Sequence, residues 1–148
     1  MSEHRIILTK TQSDKLQEFC DAKPYPKVYR EWVDLDRGNG KTTLLRTIAL
    51  VESQKHPVIV FAANTVTAKH FVEGMPEYIL KAHQYNRCNF VLHHHKGIRV
   101  LPMSQHRFED TLGLARECIL VDDVQHIDRK TFEFHASRAK KMFVCGWG

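Results

Sequence analysis

The stretch Asp36-Arg37-Gly38-Asn39-Gly40-Lys41-Thr42-Thr43 constrains this chain more than any other. The run Trp32-Val33-Asp34-Leu35 leads into it, and a helical pattern from Thr42 to Glu52 leads out. A strand, a glycine-rich turn and a Lys-Thr pair opening a helix make the architecture of a phosphate-binding loop. Gly38 and Gly40 reach backbone angles that other residues avoid, so successive N–H groups can turn inward on an anion. The helix start adds unpaired N–H donors and a partial positive charge. In such a loop Gly38, Asn39, Gly40, Lys41, Thr42 and Thr43 hold a nucleotide by its phosphates. Lys41 reaches the β- and γ-phosphates, and the Thr42 hydroxyl ligates Mg²⁺. The first glycine of the G-x-x-x-x-G-K-[ST] pattern falls on Leu35, so the strict pattern is not met.

A second motif stands downstream in the expected order. Cys118-Ile119-Leu120-Val121 is an apolar strand pattern that ends in the acidic pair Asp122-Asp123. Asp122 is placed to hold Mg²⁺, directly or through water, and Asp123 to orient or deprotonate an attacking water. An acidic pair after a strand is common by itself; behind a phosphate loop it points to nucleotide hydrolysis. It also separates the chain from P-loop kinases, which activate an acceptor other than water. Two readings stand for Arg37: an arginine finger supplied in cis to the γ-phosphate, or a surface arginine beside the loop. Gln12, ahead of the loop, is read either as a contact to an adenine edge or as a solvated helix-cap residue. Gln125 and His126 follow the acidic pair; one of them is read as a γ-phosphate sensor or a link from the site to the rest of the domain, or both as turn residues.

The order of elements follows from periodicity and punctuation. Arg5-Ile6-Ile7-Leu8 is a short apolar run, an edge strand or a docked arm. Thr11 to Asp14 reads as the cap of a helix with Leu16, Phe19 and Cys20 on one side, ended by Pro24 and Pro26. Val28 to Leu35 reads as the first core strand. Leu44, Leu45, Ile48 and Val51 form one face of the next helix. Pro57 to Ala63 is continuously apolar and suits a parallel strand buried on both faces. Asn64 and Thr65 are turn or cap residues before a helix carrying Ala68, Phe71, Val72 and Met75, closed by Pro76. A helical piece from Glu77 to His83 follows. Asn89 to Leu92 and Ile98 to Leu101 read as a hairpin around the loop His93-His94-His95-Lys96-Gly97. Asp128 is placed to cap a helix with Phe132 and Ala136, and Met142 to Gly148 contains a last apolar strand. This alternation predicts an α/β fold: a mostly parallel central sheet sandwiched by helices, one domain over residues 1–148. In such sheets the ligand lies at the carboxyl ends of the strands, where the loop and the acidic pair would meet.

Composition narrows the setting. The chain has 148 residues, 43% hydrophobic and 26% charged, as soluble globular domains do. No apolar run approaches the roughly 18 residues of a membrane span, and Met-Ser-Glu-His-Arg does not open a signal peptide. The expectation is no membrane partner. The four cysteines form no C-x-x-C pair, and Cys118 and Cys145 sit in apolar strand patterns, which suits a reducing, cytoplasmic location. The formal charge of +5 is compatible with a nucleic-acid partner. The triplet His93-His94-His95, with His83 and Cys88 nearby, is read as solvated loop histidines, because adjacent loop residues point apart and no carboxylate spacing completes a metal site.

The order of these motifs resembles the ATPase domain of viral large terminase subunits, the DNA-packaging motors. These are P-loop NTPases of the additional-strand class, with a RecA-like core related to superfamily 2 helicases. Arg37 to Thr42 is similar to the terminase loop, which often carries that arginine and lacks the first glycine. Val58 to His70 is similar to the strand and helix that follow. Gly97 to Pro102, Thr111 to Leu114 and Ile119 to Asp123 are similar to the run from hairpin to acidic motif, and Met142 to Gly146 falls at the coupling motif. The resemblance implies ATP and Mg²⁺ as ligands, double-stranded DNA as partner, packaging or replication subunits as further partners, and a homo-oligomeric ring as an assembly. It implies the cytoplasm, of the host cell if the protein is viral. The family has Asp-Glu where this chain has Asp122-Asp123, and the sequence stops at the coupling strand, without a nuclease domain. Two functions are therefore expected: a Mg-ATP hydrolase acting on DNA, or a nucleotide- or DNA-binding regulatory or assembly subunit with little turnover. A third reading is a helicase-like remnant that binds nucleic acid alone.

Overall fold

The computed structural model describes residues 8–23, 28–34, 40–80, 84–86, 89–103, 117–122, 124 and 127–147. In chain order the elements are α1 (Lys10–Asp21), β1 (Val28–Asp34), α2 (Lys41–Glu52), β2 (Val58–Ala62), α3 (Thr65–Glu73), α4 (Glu77–Leu80), β3 (Gln84–Asn86), β4 (Asn89–Leu92), β5 (Ile98–Pro102), β6 (Cys118–Val121), α5 (Arg129–Arg138) and β7 (Lys141–Trp147). The seven strands form one sheet in the order β1-β7-β6-β2-β5-β4-β3. The first five run parallel, and β4 and β3 add an antiparallel edge. The expected α/β class and mostly parallel sheet are borne out.

The sequence explains the strand order. Every residue of Val58–Ala62 is buried, so this run belongs at the centre, with helices over both faces. Val58, Val60 and Ala62 face α1, α2 and α3 with Phe19, Leu44, Leu45, Ile48, Phe71 and Val72. Ile59 and Phe61 face the other way, with Met142 and Val144, against Phe132 and Ala136 of α5. The polar residues Gln84, Asn86 and Asn89 fall in the antiparallel edge, where one side of the backbone ladder needs no protein partner. Among the described residues, no helix is long and apolar enough to cross a membrane.

The helix starts follow the expected chemistry, with one shift. Asn64 caps α3 and Asp128 caps α5, each accepting from the backbone N–H three residues on. At α1 the cap is Thr9, in place of the expected Thr11 to Asp14. Thr9 and Gln12 form a reciprocal capping box, and the helix begins at Lys10. Leu16, Phe19 and Cys20 pack inward as their spacing requires. Arg5 to Ile7, Pro24, Pro26 and residues 81–83 lie outside the described residues.

One buried ion pair joins three elements. Glu52, on the last turn of α2, and Lys141, the first residue of β7, are 0% and 1% exposed and bonded to each other. His56 Nε2 lies 3.0 Å from the second Glu52 oxygen. Lys141 Nζ also reaches the Cys20 carbonyl at the end of α1 and stands 4.8 Å from the Phe19 ring centre. Burial drives the neighbouring Cys20 thiol up to about 12, with the Glu52 carboxylate adding to the rise. Removing one member strands a buried charge, so Lys141→Ala is expected to cost about 3–5 kcal/mol in urea unfolding. The double change Glu52→Leu/Lys141→Met should recover most of that; a small cost for Lys141→Ala alone would mean that water reaches Glu52.

The histidine hairpin is clamped on the same helix. Ser53 Oγ lies 2.8 Å from His94 Nδ1, and the Lys96 N–H donates to the Ser53 carbonyl at 2.8 Å. His94 is thus half-buried, contrary to the expectation of a solvated loop histidine, while His93 and His95 are exposed. Burial, and secondarily His95, hold the His94 pKa below its ordinary 6.5. The unfolded chain then binds the extra proton first. The stabilisation is complete above pH 6.5 and is lost as pH falls through the folded value. The urea midpoint of the wild type should drop more than that of His94→Gln on acidification below pH 6.5; parallel curves would show that the clamp does not titrate.

Candidate functional site

The described part of the site begins at Gly40. Its φ of 76° and ψ of 24° are left-handed, and it is the N-cap of α2. This conformation at the entry to the helix is the reason for glycine here. Space gives a second reason. A Cβ at Gly40 would lie 1.9 Å from the Gln12 amide nitrogen. Gln12 is buried, not solvated as one sequence reading had it. Its amide oxygen accepts from Thr9 N at 2.7 Å and its nitrogen donates to the Gly40 carbonyl at 2.8 Å. That carbonyl also accepts the first helical bond, from Leu44 N at 3.0 Å. The start of α1 is thereby fixed to the start of α2.

Lys41 and Thr42 follow on the first turn of α2. Lys41 is 9% exposed, and its ammonium stands 5.3 Å from the Trp32 ring centre; the Lys15 ammonium approaches the same ring at 5.2 Å. A cation over an indole face at this range contributes about 0.5–2 kcal/mol. Thr42 Oγ1 points at Asp122, 3.4 Å from both carboxylate oxygens. That is long for an O–H···O hydrogen bond. Asp122 is itself held: its N–H donates to the Phe61 carbonyl at 2.9 Å, extending the β2–β6 ladder past the end of β6. Thr43, beside Thr42, is half-buried, and its carbonyl accepts from Thr47 Oγ1.

The topology explains how residues so far apart in sequence meet. β7 lies between β1, which leads to Gly40, and β6, which leads to Asp122. All three strands run parallel, so their carboxyl ends share one edge of the sheet. Leu35, Arg37, Gly38, Asn39, Asp123, Gln125 and His126 lie outside the described residues. The described portion brings together Gln12, Gly40, Lys41, Thr42 and Asp122.

A hydroxyl and a carboxylate facing one another form a hard oxygen donor set, the chemistry that Mg²⁺ takes. Thr42 and Asp122 therefore fit that ion. Among the described residues no group of three or more His, Cys, Asp or Glu side chains gathers as a metal site. Mg²⁺ bound through one or two protein groups, with phosphates and water completing its shell, does not require one.

Periodicity did not reveal Arg46. This residue lies one turn beyond Thr42 and is buried. Its guanidinium donates to the Phe71 carbonyl at 2.9 Å and the His70 carbonyl at 2.8 Å, joining α2 to the last turn of α3. Burial lowers its pKa and the charge of Asp122 opposes that shift. A Cβ at Gly74 would lie 2.2 Å from the Arg46 guanidinium carbon.

Compared with known proteins, the chain matches no family model, no curated relative and no solved structure.

Gly40→Ala is expected to destabilise the fold by at least about 1–2 kcal/mol, the cost of a side chain in left-handed backbone, and to displace Gln12. Thermal unfolding measures it, with Gly74→Ala as a comparison whose strain falls on Arg46 instead. A Gly40→Ala protein as stable as wild type would mean that the α2 start relaxes freely.

Proposed function

We propose that this chain is a Mg-dependent P-loop domain that binds and hydrolyses ATP, terminase- or helicase-like, and acts on DNA. The observation that carries the reading is the approach of Thr42 to Asp122 across two parallel strand ends, with β7 between them. A strand inserted between the loop strand and the acidic strand is what the additional-strand class implies. Left-handed Gly40 at the helix start and buried Lys41 beside it support the same assignment.

In this reading Lys41 pairs with the β- and γ-phosphates and the α2 N-terminus supplies N–H donors. Thr42 and Asp122 hold Mg²⁺, which when bound neutralises charge on the phosphate oxygens. Asp123 orients or deprotonates water, and Arg37 offers a guanidinium to the γ-phosphate. Gln12 holds the loop's last carbonyl. Phosphoryl transfer is mostly positioning and charge neutralisation, and these groups supply both.

The Asp122-Asp123 pair favours a second reading. Where the family has glutamate, Asp123 is one methylene shorter. A nucleotide-binding regulatory or assembly subunit with little turnover fits that shorter reach.

Phosphate release with Mg-ATP, with and without double-stranded DNA, separates the two. Lys41→Ala should lower turnover about 100-fold or more, and Asp123→Asn by a similar factor. Stimulation by DNA would support a motor. Nucleotide binding that depends on Lys41, with no release in the wild type, would select the regulatory reading. No nucleotide binding at all would remove both.

A further inference from the structure

The opposite edge of the sheet carries a concave surface. The amino ends of β2 and β5 and the β4–β5 hairpin enclose a cleft of about 680 Å³. Its exposed wall consists of His93, His95, Lys96 and Arg99, and its floor includes the half-buried Val91, with the buried Ile59 beneath. Ile59, Arg99 and Val91 are register partners on three adjacent strands, so they share one face. Among the described residues no carboxylate lines the cleft. Cations over an apolar floor favour a ligand that is anionic along one side and apolar along the other.

The wall is fixed before any ligand arrives. His94 turns inward to Ser53, the Lys96 N–H donates to the Ser53 carbonyl, and the Gly97 N–H donates to the His94 carbonyl at 2.9 Å. His95 takes a φ of 52°, the one positive value at a non-glycine among the described residues. The clamp holds this unfavourable backbone and leaves His93 and His95 exposed on either side of the anchored ring. A preformed loop spends little ordering entropy on binding.

We propose that this cleft binds a short segment of single-stranded nucleic acid. Lys96 and Arg99 take phosphates, while a base or sugar lies on the apolar floor beside the exposed imidazoles. Single strands are bound in this way, by a cationic track with ring and apolar platforms. A duplex keeps its bases stacked inside and would leave the half-buried Val91 unused. The inference rests on the nucleic-acid half of the function proposed above and gives it a strand type and a surface, separate from the nucleotide site.

Fluorescence anisotropy of a labelled oligothymidylate, and of a duplex of equal length, tests it over a salt series. The proteins are wild type, Lys96→Ala/Arg99→Ala, Arg99→Glu and Lys41→Ala. Arg99 and Lys96 are exposed, and thermal melts check that their variants fold. The single strand should bind more tightly than the duplex. The double variant should lose roughly tenfold or more in affinity, and its log–log salt slope should shrink by about 1.4, for two phosphates. Lys41→Ala should retain oligonucleotide binding. Unchanged affinity and slope in both cleft variants would overturn the proposal, as would preference for the duplex or an equal loss in Lys41→Ala. Absence of any nucleic-acid binding would remove this inference and the DNA half of the proposed function together. Phosphate release that persisted in that case would leave the ATP half standing.

Discussion

The position of β7 is the constraint on which the candidate site depends. β1 stands at the edge of the described sheet, and β7 joins it to the rest. If β7 shifts, the end of β1 moves relative to the end of β6, and Thr42 no longer faces Asp122. Beyond its ladders to β1 and β6, side chains of β7 also anchor the strand. Lys141 pairs with Glu52 at its first residue, and the Phe143 ring meets Phe19 edge-on at 5.4 Å. Both tie β7 to helices on the face that carries α2. An ion pair removed from water is costly to assemble and more costly to leave half-made. It therefore favours one arrangement of β7 and α2 over neighbouring ones.

Much of this was legible in the sequence. The uninterrupted apolar run from Val58 and the strand ending at Asp122 identified central strands. Gly97 and the loop before it identified the hairpin. Leu44, Leu45 and Ile48 gave the inward face of α2, and all three are fully buried. The spacing did not reveal what charged residues do inside that framework. Glu52 follows Leu45 and Ile48 on the same helical face, so a carboxylate facing the core was a readable signal. Its partner was not readable, because nothing in a strand pattern marks Lys141 as buried. Arg46 was hidden for the opposite reason. It lies off the apolar stripe, where an arginine is ordinarily solvated, and only the packing of α3 turns that side inward.

Gln12 and His94 teach a related lesson. A solvated position is one of the two sequence readings of Gln12 and the reading of His94, yet each links elements distant in sequence. Gln12 is bonded to Gly40, and His94 to Ser53. At α1 the cap is Thr9, ahead of the expected Thr11 to Asp14, and the glutamine of its box serves two helices at once. Polar side chains with this kind of double duty cannot be found from local pattern. Their second partner is a backbone or hydroxyl group that the fold alone brings near.

The strand order has a further consequence, for the history of each molecule. Cys20 and Lys141 lie 121 positions apart and meet at the base of the same sheet. β1 and the start of α2 are therefore made early during synthesis, yet β1 is without its neighbour until β7 emerges. Long-range parallel pairing of this kind forms late and slowly, because the intervening chain must be closed first. Until then the β1 backbone is an open template for other strands. The α1–α2 contacts around Phe19 and Gln12 can form sooner and cover one side of it. On this view α1 shields the nascent chain as well as fixing the start of α2 in the finished fold.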